Sequence, residues 1–253
     1  MAMNLTQKIL SAHLLSGELI PGSEISIRID QTLTQDSTGT MAYLQFEAMG
    51  VKRVKTKKSV AYIDHNTLQT GFENADDHYY IQTVTKKHGI YCSKPGNGIC
   101  HQVHLERFGK PGKTLIGSDS HTRYGALGTM GVGEGGPELV KQLLNNTYDV
   151  NMPEVVLVWV EGEVPHGVGP HDVAISLCKA VFANGFVNNK VLEFVGPGIK
   201  NLSVDFRNGI DVMTTETTCL SSIWVTDDKV KEYYAKHGKA CLLYTSDAAD
   251  DRI

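Results

Sequence analysis

The sequence lacks the long apolar runs and the low-complexity segments that mark non-globular proteins. Its longest apolar stretches, such as residues 155–160, are far shorter than the roughly 20 residues that a membrane helix needs. The N-terminal region contains Glu18 and no long apolar core, so we expect no secretory signal. With 25 glycines and 8 prolines among 253 residues, the composition is that of a globular chain and excludes a fibrous one.

The sequence also has no large excess of charge of one sign, since 24 basic and 28 acidic residues give a formal net charge of −4. Nucleic acids and anionic membranes select clustered lysine and arginine. We therefore expect neither a nucleic acid nor a membrane as the main partner. The chain has five cysteines and no C-x-x-C spacing, which is typical of reduced thiols in a cytoplasmic protein.

Two shifts in composition divide the chain. Residues 241–251 resemble the translation of a common sequencing adapter, so we expect residues 241–253 to be a non-native tail. A genuine polar tail, disordered as many chain termini are, is the alternative. The second shift, at residues 151–153, predicts a boundary between a domain over residues 1–153 and part of another over residues 154–240.

Short apolar segments alternate with longer segments of helical periodicity. The segments that predict strands are residues 24–29, 59–63, 114–116, 155–160 and 191–195. The segments that predict helices are residues 5–16, 40–49, 77–88, 137–145, 171–184, 211–223 and 229–237. This alternation predicts the α/β class, as a three-layer α/β/α arrangement with a largely parallel sheet.

Ionisable residues directly follow two predicted strands and one glycine loop. They are Asp64 and His65, Asp119 and His121, and His101. A carboxylate beside an imidazole fixes the tautomer of the ring and raises its pKa, which makes the ring a better proton carrier. Because ligands of α/β sheets bind where strands end in loops, we expect these groups to line one cleft.

The same residues leave other chemistry open. Asp119 with His121 offers ligand types for a metal ion, as does the pair His101-x-x-His104. A mononuclear metal-dependent hydrolase is therefore an alternative. Residues 131–136 fit G-x-G-x-x-G, but no strand directly precedes them, so we interpret them as a close backbone approach or an anion seat at a helix start.

Four short motifs occur in order along the chain. They are Tyr43-Leu-Gln45-Phe, Asp64-His65-Asn, Pro95-Gly-x-Gly-Ile-Cys-His101-Gln102 and Ile116-Gly-Ser-Asp119-Ser120-His121-Thr122. Together they resemble the aconitase superfamily, and within it the bacterial aconitate hydratases and isopropylmalate dehydratase large subunits. The resemblance implies aconitase-type domains and the reversible removal of water from the bond next to a carboxylate.

The resemblance also implies catalytic roles. In the family, the residue matching Asp64 orients the imidazole matching His65, which protonates the leaving hydroxyl group of the substrate. His101, Asp119 and His121 match residues around an open iron and its bound water. These roles make the five residues the expected catalytic residues of an Fe–S hydro-lyase.

Further residues match the family at its substrate site. Gln45 matches a substrate-binding glutamine, and Ser120 matches a contact to a substrate carboxylate. Glu216 falls where the family has an active-site glutamate. Val212 replaces the asparagine that is usual in that motif, and this departure puts the match of Glu216 in doubt.

The cofactor that the resemblance implies is a [4Fe–4S] cluster held by three cysteines. Cys92, Cys100, Cys178 and Cys219 stand in none of the family's ligand motifs. We therefore expect no metal ligand in this chain and place the cluster cysteines after Ala240 or on a partner subunit. On this basis residues 1–240 alone should be inactive.

The substrate that the resemblance implies is a small hydroxy di- or tricarboxylate, with citrate and isocitrate, interconverted through cis-aconitate, as the main expectation. The alternatives are 3-isopropylmalate, homoaconitate and dimethylmalate, and a small swivel-domain subunit is a possible partner. An RNA-binding module is the alternative outside the enzymes, and the negative net charge argues against it.

Overall fold

The computed structural model describes residues 3–136, 138–140 and 147–239. The predicted tail at 241–253 lies outside these residues, as does most of the predicted helix at 137–145. Among the helices within the described ranges, none is long and apolar enough to cross a membrane.

Strands and helices alternate along most of the chain. The strands are β1 Leu14–Gly17, β2 Glu24–Arg28, β3 Gln31–Thr34, β4 Lys58–Tyr62, β5 Tyr91–Ser93, β6 Thr114–Gly117, β7 Met130–Gly133, β8 Thr147–Asn151, β9 Val155–Trp159, β10 Val191–Val195 and β11 Ser221–Trp224. The α-helices are α1 Leu5–His13, α2 Gly39–Ala48, α3 Phe72–His88, α4 Cys100–Phe108, α5 Pro170–Val181, α6 Val204–Met213 and α7 Asp228–Lys236.

Among the residues that the structure describes, two of the three sheets are parallel. The larger has the order β5-β4-β3-β6-β7, and the smaller has the order β11-β10-β9. Parallel neighbours need long crossover connections, and here α2, α3 and α4 connect successive strands of the larger sheet. The third sheet, β1-β2-β8, is antiparallel. The predicted α/β class with largely parallel sheets is confirmed.

Local sequence signals explain where several helices begin and end. Asn4 and Gln7 form a capping box at the start of α1, each side chain accepting a bond from the backbone N–H of the other. At the start of α6, the hydroxyl oxygen of Ser203 accepts the backbone N–H of Phe206. Helix α3 ends at His88, and the next residue, Gly89, has a φ of 76°, in the left-handed region that glycine tolerates.

The predicted helix over residues 211–223 is wrong in its second half. The helix ends at Met213, a 3₁₀ turn follows, and Thr218 then takes a φ of 66° that stops helical continuation. Strand β11 follows, although it begins with two serines. The sequence does not indicate this strand, because polar serines are not expected at buried positions. Both serines are buried, and their hydroxyl groups form hydrogen bonds, as between Ser221 and the carbonyl of Gly131 at 2.7 Å.

The sequence pattern also gives no indication of β3, the central strand of the larger sheet. All four of its residues are buried, yet only one is apolar. Thr32 donates to the hydroxyl of Ser59 at 2.7 Å, and Thr34 lies 2.7 Å from the hydroxyl of Tyr43. Because these polar groups are satisfied inside the core, the strand has no apolar alternation to reveal it.

Residues on either side of the predicted boundary at 153 are in direct contact. The buried Glu193 of β10 accepts bonds from the backbone N–H groups of Leu5 and Thr6 at 3.2 and 3.1 Å. Tyr234 of α7 donates to the carbonyl of Gly109 at 2.9 Å. The division into two domains stays a prediction.

Candidate active site

The loops that follow β3, β4 and β6 meet at one edge of the larger sheet. Asp36 follows β3, Asp64 and His65 follow β4, and Asp119 follows β6. The three strands are parallel neighbours, so their carboxyl ends lie side by side. This is the edge at which open α/β sheets bind their ligands.

Asp119 lies at the centre of the group. Its Oδ1 atom is 3.1 Å from Nε2 of His101 and 3.4 Å from Nδ1 of His121, and it accepts the N–H of His121 at 2.8 Å. Its Oδ2 atom is 3.3 Å from Nε2 of His65 and accepts a bond from the Gln35 amide at 3.4 Å. Burial raises the pKa of Asp119, but the hydrogen bonds from His101 and the N–H of His121, with the charges of both rings, hold it well below its usual range. The carboxyl is therefore ionised and joins three imidazoles.

Asp64 and His65 form the second part of the group. Nδ1 of His65 lies 3.0 Å from Oδ1 of Asp64, whose Oδ2 accepts the N–H of Cys100, the first residue of α4, at 2.6 Å. Burial lowers the pKa of His65, but the hydrogen bond and charge of Asp64, with the charges of Asp119 and Asp36, raise it above its ordinary value. The side chain of His65 is 29% exposed, so a ring that binds protons readily is open to solvent.

His101 is held between Asp119 and a tyrosine. Its Nε2 faces the carboxylate, and its Nδ1 lies 3.3 Å from the hydroxyl of the fully buried Tyr124. In the neutral ring, Nε2 therefore carries the proton and Nδ1 accepts from the tyrosine. Nothing in the sequence indicated Tyr124.

Glu216 lies at the other end of the group, beside His121. Its Oε1 atom lies 3.2 Å from Nε2 of His121, and Oγ of Ser120 lies 3.3 Å from Nδ1 of the same ring. Thr215 donates to the carbonyl of Ser120 at 2.8 Å, which fixes the 3₁₀ turn of Glu216 against this loop. The side chains of His121 and Glu216 are 37% and 52% exposed, so this end opens to solvent.

The structure brings together seven of the eight residues that the sequence indicated: Asp64, His65, His101, Asp119, Ser120, His121 and Glu216. The eighth, Gln45, lies half-buried on α2. Within the described part of the chain, no hydrogen bond joins its side chain to the others. The assigned roles of all eight remain predictions.

Comparison with known proteins places the chain in a family. The family model described as "Aconitase family (aconitate hydratase)" matches residues 7–251. The chain belongs to the aconitase family. Membership and the motif resemblance agree, because both cover the loops that meet at the sheet edge.

Several curated relatives resemble the chain to a similar degree. A 3-isopropylmalate dehydratase large subunit from Thermotoga maritima is 31% identical, over 94% of this chain and 57% of its own length. A mitochondrial aconitate hydratase from Schizosaccharomyces pombe is 30% identical, over 94% of this chain and 32% of its own. A mitochondrial homoaconitase from Mycosarcoma maydis is 32% identical, over 92% and 32%. The chain thus spans from about a third to just over half of the length of these relatives.

The described residues do not fit as ligands of the iron–sulfur cluster that the family implies. A cluster needs several thiolates around one cube. Within the described ranges, the one group of three potential ligands that converge is Asp64, His65 and Cys100, which contains a single thiol. Burial first, and then the charge of Asp64, raises the pKa of Cys100, so that thiol is protonated. Buried Cys219 instead donates its thiol to the carbonyl of Thr214 at 3.3 Å.

The alternative metal site at His101 and His104 is wrong. His104 is fully buried, with Nδ1 3.0 Å from the hydroxyl of Tyr62 and Nε2 2.9 Å from Oε1 of Gln31. Both ring nitrogens are therefore occupied. Burial, with the charges of Lys58 and His101, lowers the pKa of His104 to about 3. His104 is a neutral core residue.

The glycine-rich stretch at 131–136 allows the close backbone approach that the sequence predicted. A Cβ atom on Gly133 would lie closer than van der Waals contact to the carbonyl of Asp119 and to Cα of Ser120. The missing side chain lets β7 pack against the loop that carries Asp119. The anion seat predicted at the helix that follows lies mostly outside the described residues.

Proposed function

We propose that the complete protein is a hydro-lyase that reversibly removes water from a small hydroxy di- or tricarboxylate. The observation that carries this proposal is the set of three carboxylate–imidazole pairs at one sheet edge, joined through Asp119. Dehydration next to a carboxylate needs a proton delivered to the leaving hydroxyl group and another removed from carbon. A connected set of proton carriers suits that requirement.

His65 is the acid in this proposal. Asp64 accepts from Nδ1, so Nε2 points toward Asp119 and the open side of the group. The raised pKa of His65 keeps more of the ring protonated near neutral pH, ready to donate from Nε2. When water adds back, the same nitrogen takes the proton.

The exposed end of the group binds the substrate in this proposal. Ser120 and His121 lie beside each other there and offer a hydroxyl group and an imidazole to a substrate carboxylate. The nearby Arg123 is buried and donates to the carbonyl oxygens of Thr122 and Cys219. We therefore expect the basic side chains that neutralise an anionic substrate to come from other parts of the complete protein, as we expect for the cluster ligands.

The first substrate to test is 3-isopropylmalate. Relatives named 3-isopropylmalate dehydratase large subunits match this chain over more than half of their length, whereas the aconitate hydratase and the homoaconitase match over about a third. Their name, large subunit, also supports a small subunit as partner. Citrate remains the second candidate, because the aconitate hydratase is 30% identical. We keep the cytoplasm as the proposed location.

The test is a hydratase assay of the complete protein, reconstituted anaerobically with iron and sulfide, with and without its small subunit. Formation of the unsaturated acid is followed with 3-isopropylmalate, citrate, homocitrate and dimethylmalate in turn. We expect turnover of one of them, lost in His65→Ala and kept in His166→Ala, a change at an exposed histidine outside the group. Absence of turnover with all four acids in a cluster-loaded protein would overturn the proposal.

A further inference from the structure

Asp36 is a buried carboxylate behind the active site, and no motif of the sequence indicated it. It follows β3, its residue is 1% exposed, and its carboxylate accepts four hydrogen bonds. Oδ1 accepts from the backbone N–H groups of Asp64 at 3.0 Å and His65 at 2.8 Å. Oδ2 accepts from the N–H of Asn66 at 2.9 Å and from Nε2 of His78 at 2.9 Å.

Three successive backbone donors therefore converge on one side chain. They belong to residues 64–66, the turn after β4 that presents His65. Fixing three consecutive N–H groups fixes the peptide planes of the turn, and with them the direction in which the ring of His65 leaves the backbone. The distance of 3.3 Å between His65 and Asp119 depends on that direction.

The second support of Asp36 comes from α3. His78 is buried, and its Nδ1 lies 3.1 Å from the amide nitrogen of Gln69, which donates to it. His78 therefore carries its proton on Nε2 and donates that proton to Asp36. Burial raises the pKa of Asp36, but the N–H groups of residues 64–66 and His78 lower it below the ordinary value, so the carboxylate is ionised.

We propose that Asp36 is a positioning residue of the active site, which holds the turn at residues 64–66 so that His65 faces Asp119. It acts through hydrogen bonds to the turn and touches no reacting atom. The inference rests on the function proposed above only in its kinetic consequence. Its structural consequence, the order of the turn, can be measured without any substrate.

The substitution Asp36→Asn is a sharp test because both oxygens accept two donors each. Whichever way the new amide turns, its NH₂ group meets two N–H donors, so asparagine cannot preserve the four bonds. The matched control is Asp30→Asn. Asp30 is also buried and precedes the same strand, and its Oδ2 lies 2.7 Å from Nε2 of the buried His13.

In the complete enzyme, we expect Asp36→Asn to lower kcat about 10²-fold, because a displaced catalytic group costs about that much, while KM stays within about threefold. Three carboxylates surround His65: Asp64 lies in the same turn, Asp119 lies in the loop after β6, and Asp36 follows β3. Removing one of these negative charges should also move the alkaline limb of kcat to lower pH. Asp30→Asn should lose stability but keep the wild-type kcat and pH profile.

Hydrogen–deuterium exchange of the peptides that contain residues 64–66, without substrate, separates this inference from the proposed function. We expect exchange there to rise about tenfold in Asp36→Asn and to stay unchanged in Asp30→Asn. If the wild type has no hydratase activity, the function fails while this measurement still decides the role of Asp36. Unchanged exchange in Asp36→Asn would overturn the inference, as would equal loss of kcat in both variants.

A second pair of variants applies if Asp36→Asn does not fold. His78→Gln keeps an N–H donor for Asp36, whereas His78→Leu removes it. We expect faster exchange of the turn in His78→Leu than in His78→Gln, and identical exchange in the two would overturn the inference.

Discussion

Replacing Asp119 by asparagine should disrupt the contact with His65 and keep those with His101 and His121. The three contacts of Oδ1, two with His121 and one with His101, favour keeping the amide oxygen in that position. The NH₂ group then points at Nε2 of His65 and at the amide of Gln35. Gln35 cannot turn to accept from it, because its Oε1 already accepts the N–H of Ser37 at 2.5 Å.

The consequence follows from the new donor beside His65. Protonated His65 loses an anionic acceptor at 3.3 Å and gains a repulsive N–H, so its pKa should fall. A hydrogen bond to a charged group contributes about 1.5–3 kcal/mol. Since this contact is long and partly open to water, we expect a loss near the lower end, about 1–2 kcal/mol in the free energy of unfolding.

The pH dependence has a definite sign. The folded-state pKa of His65 is raised, so its contribution to stability is fully present below the unfolded value of about 6.5 and is lost as pH rises through the folded value. The difference in stability between wild type and Asp119→Asn should therefore be larger at pH about 6 than at pH about 8.5. In the complete enzyme, kcat near neutral pH should fall by up to about 5- to 30-fold, because about 1–2 kcal/mol lowers the pKa of His65 by about 0.7–1.5 units and less of the ring then carries a proton.

The assay combines urea unfolding at the two pH values with an NMR titration of the His65 ring. Asp30→Asn is again the control, since it breaks a buried carboxylate–imidazole pair outside the group. It should lower stability and leave the titration of His65 unchanged. An unchanged pKa of His65 in Asp119→Asn would refute the reasoning.

Three further predictions concern the fold and the cofactor. Gly133→Ala should destabilise the protein by about 1–3 kcal/mol in thermal unfolding, because the new Cβ atom has no room. Gly136→Ala should destabilise it much less, because its Cβ atom would lie 3.7 Å from the Cβ atom of Ala42. Equal losses in the two variants would contradict this. Lowering the pH from about 6 to about 4 should reduce the unfolding free energy by up to about 1.4 kcal/mol per pH unit, because the ring of His104 binds a proton when unfolded and, with a folded pKa of about 3, does not when folded. The same slope in His104→Phe would contradict this. Residues 1–240 should bind no stoichiometric [4Fe–4S] cluster on anaerobic reconstitution, and a full complement of iron and sulfide would contradict the absence of ligands.

The parts of the fold that the sequence predicted are those with apolar strands. In β6, Leu115 and Ile116 are buried apolar residues, and the polar loop after them stood out for that reason. Strand β3 offered no such contrast, because its buried threonines are satisfied by other side chains. A single sequence cannot show that a polar run will find its partners inside the core.

The same limit applies to the site. Asp64, His65 and Asp119 were predictable because they follow recognisable strands, and the motifs around them are specific. Asp36 follows a strand that the sequence pattern does not indicate, and Tyr124 lies in the irregular segment between β6 and β7. The contacts of both depend on residues far away in the chain, as between Asp36 and His78.

The central claim is that His65 is the acid that moves a proton during hydration and dehydration. The most direct measurement is the steady-state kinetics of His65→Ala in the complete, cluster-loaded enzyme. We predict that kcat falls about 10²–10⁴-fold, with a much smaller change in KM, because a positioned acid acts mainly in the transition state. A wild-type kcat in this variant would contradict the account.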